Sequence, residues 1–231
     1  MKKKIIVIGL GNFGGSLSRI LTNEGHEVFG VDINPARIEN MHNKIDHAVG
    51  LDTTEEASMN YLPLDDTDIV VVAIGENVGA SISTTALIKK NFQGRIIARA
   101  LTNVHRTVLE AMLIDEIIDP EAEFAHSLSN RIMVKGATNS MELHGNYEIL
   151  EVKIPIKIIG LTLADLEMKT KYKAHIVTVI KRKTATNFLG ANSPEDEVYG
   201  ILHSVYQFEE NDYLLIFGLK SNIERFVEEN S

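Results

Sequence analysis

Short apolar runs and amphipathic stretches alternate over the first half of the chain. Apolar or β-branched runs at residues 4–8, 27–31, 47–51, 68–74, 95–101 and 116–118 predict strands. The stretches between them, at 14–23, 35–41, 79–91 and 104–113, predict helices. Alternation at this pace implies right-handed βαβ units around a parallel sheet. The run "IVVVAI" (69–74) is apolar at every position, as a central strand covered on both faces must be.

Beyond Pro120 the pattern changes. "EAEFAHSLSNRIMVKG" (121–136) reads as a longer helix, and "ATNSMELHGN" (137–146) as a polar connector. "YEILEVKIP" (147–155), "HIVTVIKR" (175–182) and "DYLLIFG" (212–218) read as strands, with helices expected at "TLADLEMKTKY" (162–172) and "SNIERFVEE" (221–229). The expectation is two domains: α/β over 1–141 and a smaller α+β unit over 142–231.

Composition narrows the function classes. The 231 residues are 44% hydrophobic and 24% charged, ordinary for a globular protein. There is no cysteine, so disulfide frameworks, zinc ribbons and thiol nucleophiles are excluded. A net charge of -9 disfavours nucleic acid, which demands a basic face. The short runs "KTKYK" (169–173) and "KRK" (181–183) fit solvated strand and turn edges. No window is apolar long enough to span a bilayer, and MKKK is followed by glycines rather than a signal-peptide core. A cytoplasmic protein that docks onto a membrane partner is expected. The eight histidines are scattered without metal-ligand spacing, and neither a G-x-S-x-G elbow nor a Walker-type phosphate loop is present.

The chemistry concentrates in "IIVIGLGNFGGS" (5–16). Gly9, Gly11 and Gly14 have the G-x-G-x-x-G spacing, after a strand and before a helix. In that context the glycines permit the tight turn, backbone approach to phosphates and close helix–sheet packing. Asp32 ends the second strand 18 residues after Gly14, at what is expected to be an exposed strand end. Its carboxylate suits a ribose diol and would repel a 2′-phosphate, though a helix cap is an alternative role. The fold implied is Rossmann-like and doubly wound. Asp52 either receives an adenine amino group or caps a helix expected at 53–56. "AIGEN" (73–77) ends the fourth strand, where ligands of such sheets collect. Arg99 needs a phosphate or carboxylate partner, and Glu121 either holds a divalent ion or favours a helix N-terminus. Such a nucleotide could be a reagent that an enzyme consumes or a signal that a regulator reads.

"IIVIGLGNFGGSL", "HEVFGVDIN", "DIVVVAIGEN" and "EIIDPE" together resemble the N-terminal domain of the regulator-of-potassium-conductance (RCK or KTN) family, found in cytosolic Trk and Ktr potassium-uptake subunits. "IIGLTLADLEMKTKYKAHIVTVIKR" and "NDYLLIFGLKSNIERF" are similar to that family's second domain. The resemblance implies nucleotide contacts at Gly11, Phe13, Gly14, Asp32, Asp52, Ala73, Ile74, Gly75 and Arg99, and a divalent cation at Glu121. Gly9, Asn12, Ile33 and Thr53 complete the candidate set. Asn12 departs from the arginine that ATP-responsive members often carry, which leaves ATP against ADP open and gives weight to NAD(H). The resemblance further implies a homo-oligomer of dimers, commonly an octameric ring, beneath an integral-membrane potassium-translocating subunit. It also implies a C-terminal dimer whose groove, near Ile156, Ile158, Ile159, Lys157 and Lys171, binds cyclic di-AMP in some members. Core packing is the competing role for those isoleucines. The rival to a regulatory subunit is an NAD-dependent oxidoreductase with its substrate between the domains.

Overall fold

The strand β1 (Lys4–Ile8) sends Ile6 and Ile8 into one apolar core and Ile5 and Val7 into another. A strand buried on both faces has no polar positions to spare, which is why the run is continuous. The computed structural model describes residues 2–186 and 192–231, and the chain divides into two units, Met1–Pro120 and Glu121–Ser231.

In the first unit the chain continues through α1 (Asn12–Asn23), β2 (Glu27–Asp32), α2 (Pro35–Met41), β3 (His47–Gly50), β4 (Ile69–Val72), α3 (Val78–Asn91), β5 (Arg95–Arg99), α4 (Asn103–Ala111) and β6 (Glu116–Ile118). Two 3-10 turns, Glu56–Tyr61 and Leu64–Asp66, replace a helix between β3 and β4. The six strands are parallel in the order β3-β2-β1-β4-β5-β6. Leu17, Leu21, Ile38 and Met41 from α1 and α2 cover one face, and Ile88 and Leu109 from α3 and α4 cover the other. The winding reverses between β1 and β4, so a crevice opens at their carboxyl ends. The fourth and fifth strands stop earlier than expected. Ala73, Ile74 and Gly75 therefore lie in the loop at that crevice.

The second unit contains α5 (Pro120–Met133), β7 (Ala137–Glu142), β8 (Tyr147–Lys153), β9 (His175–Thr186), β10 (Asn192–Val198), β11 (Asp212–Leu219) and α6 (Lys220–Asn230). Its antiparallel sheet runs β10-β9-β11-β8-β7. Leu150, Val152, Ile176, Leu214 and Ile216 form a core with Ile223, Phe226 and Val227 of α6.

Three expectations are corrected here. The polar connector is the edge strand β7. An edge strand needs no apolar run, and Thr138 and Ser140 instead bond Glu151 and Ser127 through their hydroxyls. The boundary after residue 141 consequently cuts a paired strand, and the chain divides at 120/121. Residues 162–172 form no α-helix. The Asp165 carboxylate closes a turn on the Thr162 N–H and hydroxyl, at 2.8 and 2.6 Å. The Leu163 and Ala164 amides donate to the Tyr206 and Ser204 carbonyls, so they are lost to an i−4 ladder. Glu167 and Lys173 at φ 46° and 50° then bracket one π-type turn, Met168–Tyr172.

Candidate functional site

The turn from β1 to α1 is built by glycines with different surroundings. Gly9 has φ +95°, and a Cβ there would meet the Ile74 nitrogen at 2.9 Å. Only glycine has both the freedom and the size. A Cβ on Gly14 would stand 1.9 Å from the Gly9 carbonyl oxygen, so the third glycine is what lets α1 close onto β1. Gly11 faces open space except for the Arg37 guanidinium, whose Nη1 would lie 3.9 Å from an added Cβ.

The α1 helix starts from Gly11 with no side-chain cap and no acidic residue in its first turn. By contrast Asn34, Asn77 and Thr102 cap α2, α3 and α4 with side-chain oxygens. The first N–H groups of α1 and the positive end of its dipole are thus available to an external anion, and the glycines keep side chains out of the way. This cradle fits a phosphate.

Asp32 ends β2, but not as an exposed group: its side chain is 4% exposed. Oδ2 accepts from the Leu10 N–H at 2.7 Å and Oδ1 from the Asn34 N–H at 2.8 Å. Arg37 Nη1 lies 3.4 Å from Oδ2, while Nη2 donates to Glu76 in the loop after β4. Asp32 therefore braces the glycine turn and the start of α2.

Phe13, Gly75 and Arg99 converge from α1, the β4 loop and the end of β5. The Arg99 guanidinium lies 5.8 Å from the Phe13 ring centroid, and a Cβ on Gly75 would strike its Nη1 at 2.4 Å. Ala73 is buried, Ile74 half-buried and Ile33 exposed. Asp52 Oδ1 accepts from the Thr54 N–H and hydroxyl, at 2.9 and 2.6 Å, which holds its carboxyl below the usual range. No helix forms at 53–56: the carboxylate closes a local turn instead, and the 3-10 turn begins only at Glu56 with Glu55 before it. Thr53 is buried, its hydroxyl 2.9 Å from that of Thr84 in α3.

A cleft of about 470 Å³ opens beside the turn, lined among others by Gly11, Asn12, Arg19, Arg37, Lys44 and Glu76. The spacing argument missed Arg19, Arg37 and Lys44, and it reached Glu76 only as part of the stretch 73–77. For Arg37 a signal existed, a cation five residues after Asp32 in "DINPAR".

A family model described as the TrkA-N domain matches residues 5–120. The chain is 32% identical over 226 residues to the Ktr system potassium uptake protein C of Bacillus subtilis (strain 168), spanning 98% of this chain and 96% of that protein. It is 33% identical over 227 residues to the Ktr system potassium uptake protein A of the same strain, with the same coverage. The chain belongs to the TrkA-N family. The match ends at residue 120, where the first unit of this TrkA-N chain ends. Its fold is that of the GsuK RCK domain, with a TM-score of 0.65 at 15% identity, covering 100% of this chain and 49% of that one. A GsuK channel bound to NAD matches at a TM-score of 0.62 and 15% identity, over 100% of this chain and 39% of that chain. The chain thus spans about half or less of these solved chains. The RCK resemblance and the Rossmann-like fold followed by a small α+β unit both hold.

In the second unit of this TrkA-N protein the three isoleucines separate. Ile158 is fully buried, whereas Ile156 is 74% and Ile159 37% exposed. Lys157 Nζ donates to the Glu229 carbonyl at 2.8 Å and Lys171 pairs with the Glu229 carboxylate at 3.2 Å. Glu121 lies in the first turn of α5. Among the described residues no group of three or more His, Asp and Glu side chains is arranged for a metal, and no helix is long and apolar enough to cross a membrane.

Proposed function

We propose that this chain is the nucleotide-binding regulatory subunit of a membrane potassium-uptake system. In this reading it binds an adenine nucleotide (NAD(H), ATP or ADP) and gates an integral-membrane potassium-translocating subunit. The observation that carries the nucleotide reading is the uncapped, glycine-built start of α1 beside Asp32 at the switch point. The near full-length similarity to two Ktr potassium uptake proteins supports the regulatory role. Gly9, Gly11, Asn12, Phe13 and Gly14 would hold the phosphates, Asp32 and Ile33 the ribose, and Asp52 and Thr53 the adenine. Ala73, Ile74, Gly75 and Arg99 would line the far side, and Glu121 is the residue proposed for a divalent cation.

Gating requires that each ligand prefer one shape of a homo-oligomer, for which a dimer-built ring, octameric in this proposal, supplies the two states. A coupling of about 1–3 kcal/mol per site suffices. The protein sits at the cytoplasmic face through its partner and is not an enzyme. The second unit pairs with a second copy, and its exposed Ile156 and Ile159 are where cyclic di-AMP would be tested.

Calorimetric titration of NADH, ADP and ATP into the purified chain, with co-purification of a potassium transporter from membranes, tests this. Saturable binding with a captured transporter is expected. A strict monomer that captures none, or sustained consumption of NADH with a keto acid, would overturn it.

A further inference from the structure

The role of Arg37 is not explained by packing. Its guanidinium reaches from α2 over the glycine turn, close to Asp32 at the end of β2 and bonded to Glu76 after β4. Because β1 lies between β2 and β4 in the sheet, this one side chain spans the crevice at the switch point. Nη1 and Cζ both pass within 4.0 Å of where a Gly11 Cβ would stand, so the guanidinium lies against the open backbone of the phosphate turn.

The lone pairs of Asp32 limit how many donors it can hold at once. Each carboxylate oxygen has about two acceptor positions. On Asp32, Oδ2 already holds the Leu10 N–H and Arg37, and Oδ1 holds the Asn34 N–H. One position remains, while a ribose diol held through both hydroxyls needs two. Leu10 and Asn34 donate from backbone that the turn and the α2 cap fix in place. Arg37 donates from a flexible side chain, at 3.4 Å, and is the donor that can leave.

Resting on the nucleotide reading above, we propose that Arg37 is the residue that makes the site selective for phosphorylated adenosine ligands. A bound ribose takes the Asp32 position that Arg37 vacates, and the guanidinium turns to the ligand's phosphates beside the α1 N-terminus. An unphosphorylated nucleoside displaces the arginine from Asp32 and offers no anion in exchange, so the guanidinium keeps only Glu76 where it had two carboxylates. A phosphorylated ligand replaces one anion with another, in the bidentate geometry guanidinium favours. The cleft agrees with an incoming polyanion. Arg19 and Lys44 line it too, and their hydrogen bonds go to the neutral Ser16 and Asn40.

The test is calorimetry on the full chain with adenosine, AMP and ADP, for wild type, Arg37→Gln and Arg37→Lys. Arg37 is partly exposed, and superimposable thermal melts establish that the variants fold. Wild type should prefer ADP over adenosine. In Arg37→Gln the preference should shrink by roughly tenfold or more, because ADP loses a charge-assisted partner while adenosine no longer displaces one. Arg37→Lys should keep part of it, and the salt dependence of ADP binding should flatten in Arg37→Gln alone. If Arg37→Gln weakens adenosine and ADP by the same factor, Arg37 is only a brace for Asp32 and the proposal fails. Unchanged ADP affinity would also defeat it. Wild type binding none of the three, nor NADH, would instead sink the nucleotide reading itself.

Discussion

Asp32 has two duties, and its substitution should show both. The carboxylate is buried and accepts from two backbone N–H groups, at Leu10 and Asn34. Asp32→Ala leaves those donors without acceptors, so it should cost about 2–4 kcal/mol of stability besides weakening nucleotide binding. Urea unfolding measures the first effect, and an unchanged midpoint would show that the turn does not rely on this side chain. Glu148 offers a pH test. It is 1% exposed, its Oε2 accepts from Asn130 at 3.2 Å, and its Oε1 has no partner among the described residues. Burial pushes its carboxyl above the usual range; Lys220 opposes this, while Glu224 and Glu142 add to it. Between the ordinary carboxylate value and the raised one, the folded state binds more protons than the unfolded state. Stability therefore falls as pH rises through that window and is level above it. Glu148→Gln should flatten the fall and be more stable than wild type near neutrality. Urea midpoints across roughly pH 4–8 decide, and parallel curves would sink the idea. The residues legible in the sequence were those bound by local spacing, Gly9, Gly14 and Asp32. The pairing of Arg37 with Glu76 was not, because the two are 39 positions apart and meet only through the fold.

At the scale of elements, α1 separates folding from function. Its first turn lacks both a side-chain cap and a carboxylate, a local loss of stability that leaves the dipole for a ligand. Asn12→Asp should therefore act in opposite directions. It should raise helix stability by about 0.3–1 kcal/mol and weaken nucleotide affinity by repelling phosphate. A melting temperature and an affinity that rise together would refute the assignment of this helix end. The first unit's strands and helices were legible because two-sided burial forces continuous apolar runs such as Ile69–Val72. The second unit hid its edges. β7 and β10 flank the sheet; β7 carries polar residues on both faces and β10 reads "NSPEDEV" in sequence, so no apolar periodicity marks either. Residues 162–172 carry a helix-like pattern, but their amides serve distant carbonyls and a side-chain turn instead. Local pattern cannot reveal an acceptor 40 residues away.

For the whole molecule, where the chain divides decides which fragment can stand alone. β8 lies between β11 and β7, and α5 together with the residues just after it supplies Asn130 to Glu148 and Val134 to the core. A fragment of residues 142–231 loses α5, Val134 and all of β7 except Glu142. It bares one edge of β8, opens a gap where Val134 packed, and leaves Glu148 without its hydrogen-bond donor. A bare edge is also a template for pairing with other chains. A fragment of residues 121–231 keeps the five-stranded sheet and both helices. The longer fragment should unfold in one cooperative transition at the higher temperature, and the shorter one should melt broadly and aggregate. Circular dichroism melts with sedimentation measure both. The same sedimentation run addresses the proposed pairing of second units, since Ile156, Ile201 and Val205 are 74%, 88% and 78% exposed. A folded 121–231 fragment should sediment as a dimer with those side chains covered, and Ile201→Asp should drive it towards monomer without lowering its melting temperature at low concentration. Equal melting of the two fragments would mean that β7 adds nothing to the second unit. A folded fragment that stays monomeric at high concentration would place the oligomer contacts elsewhere in the chain.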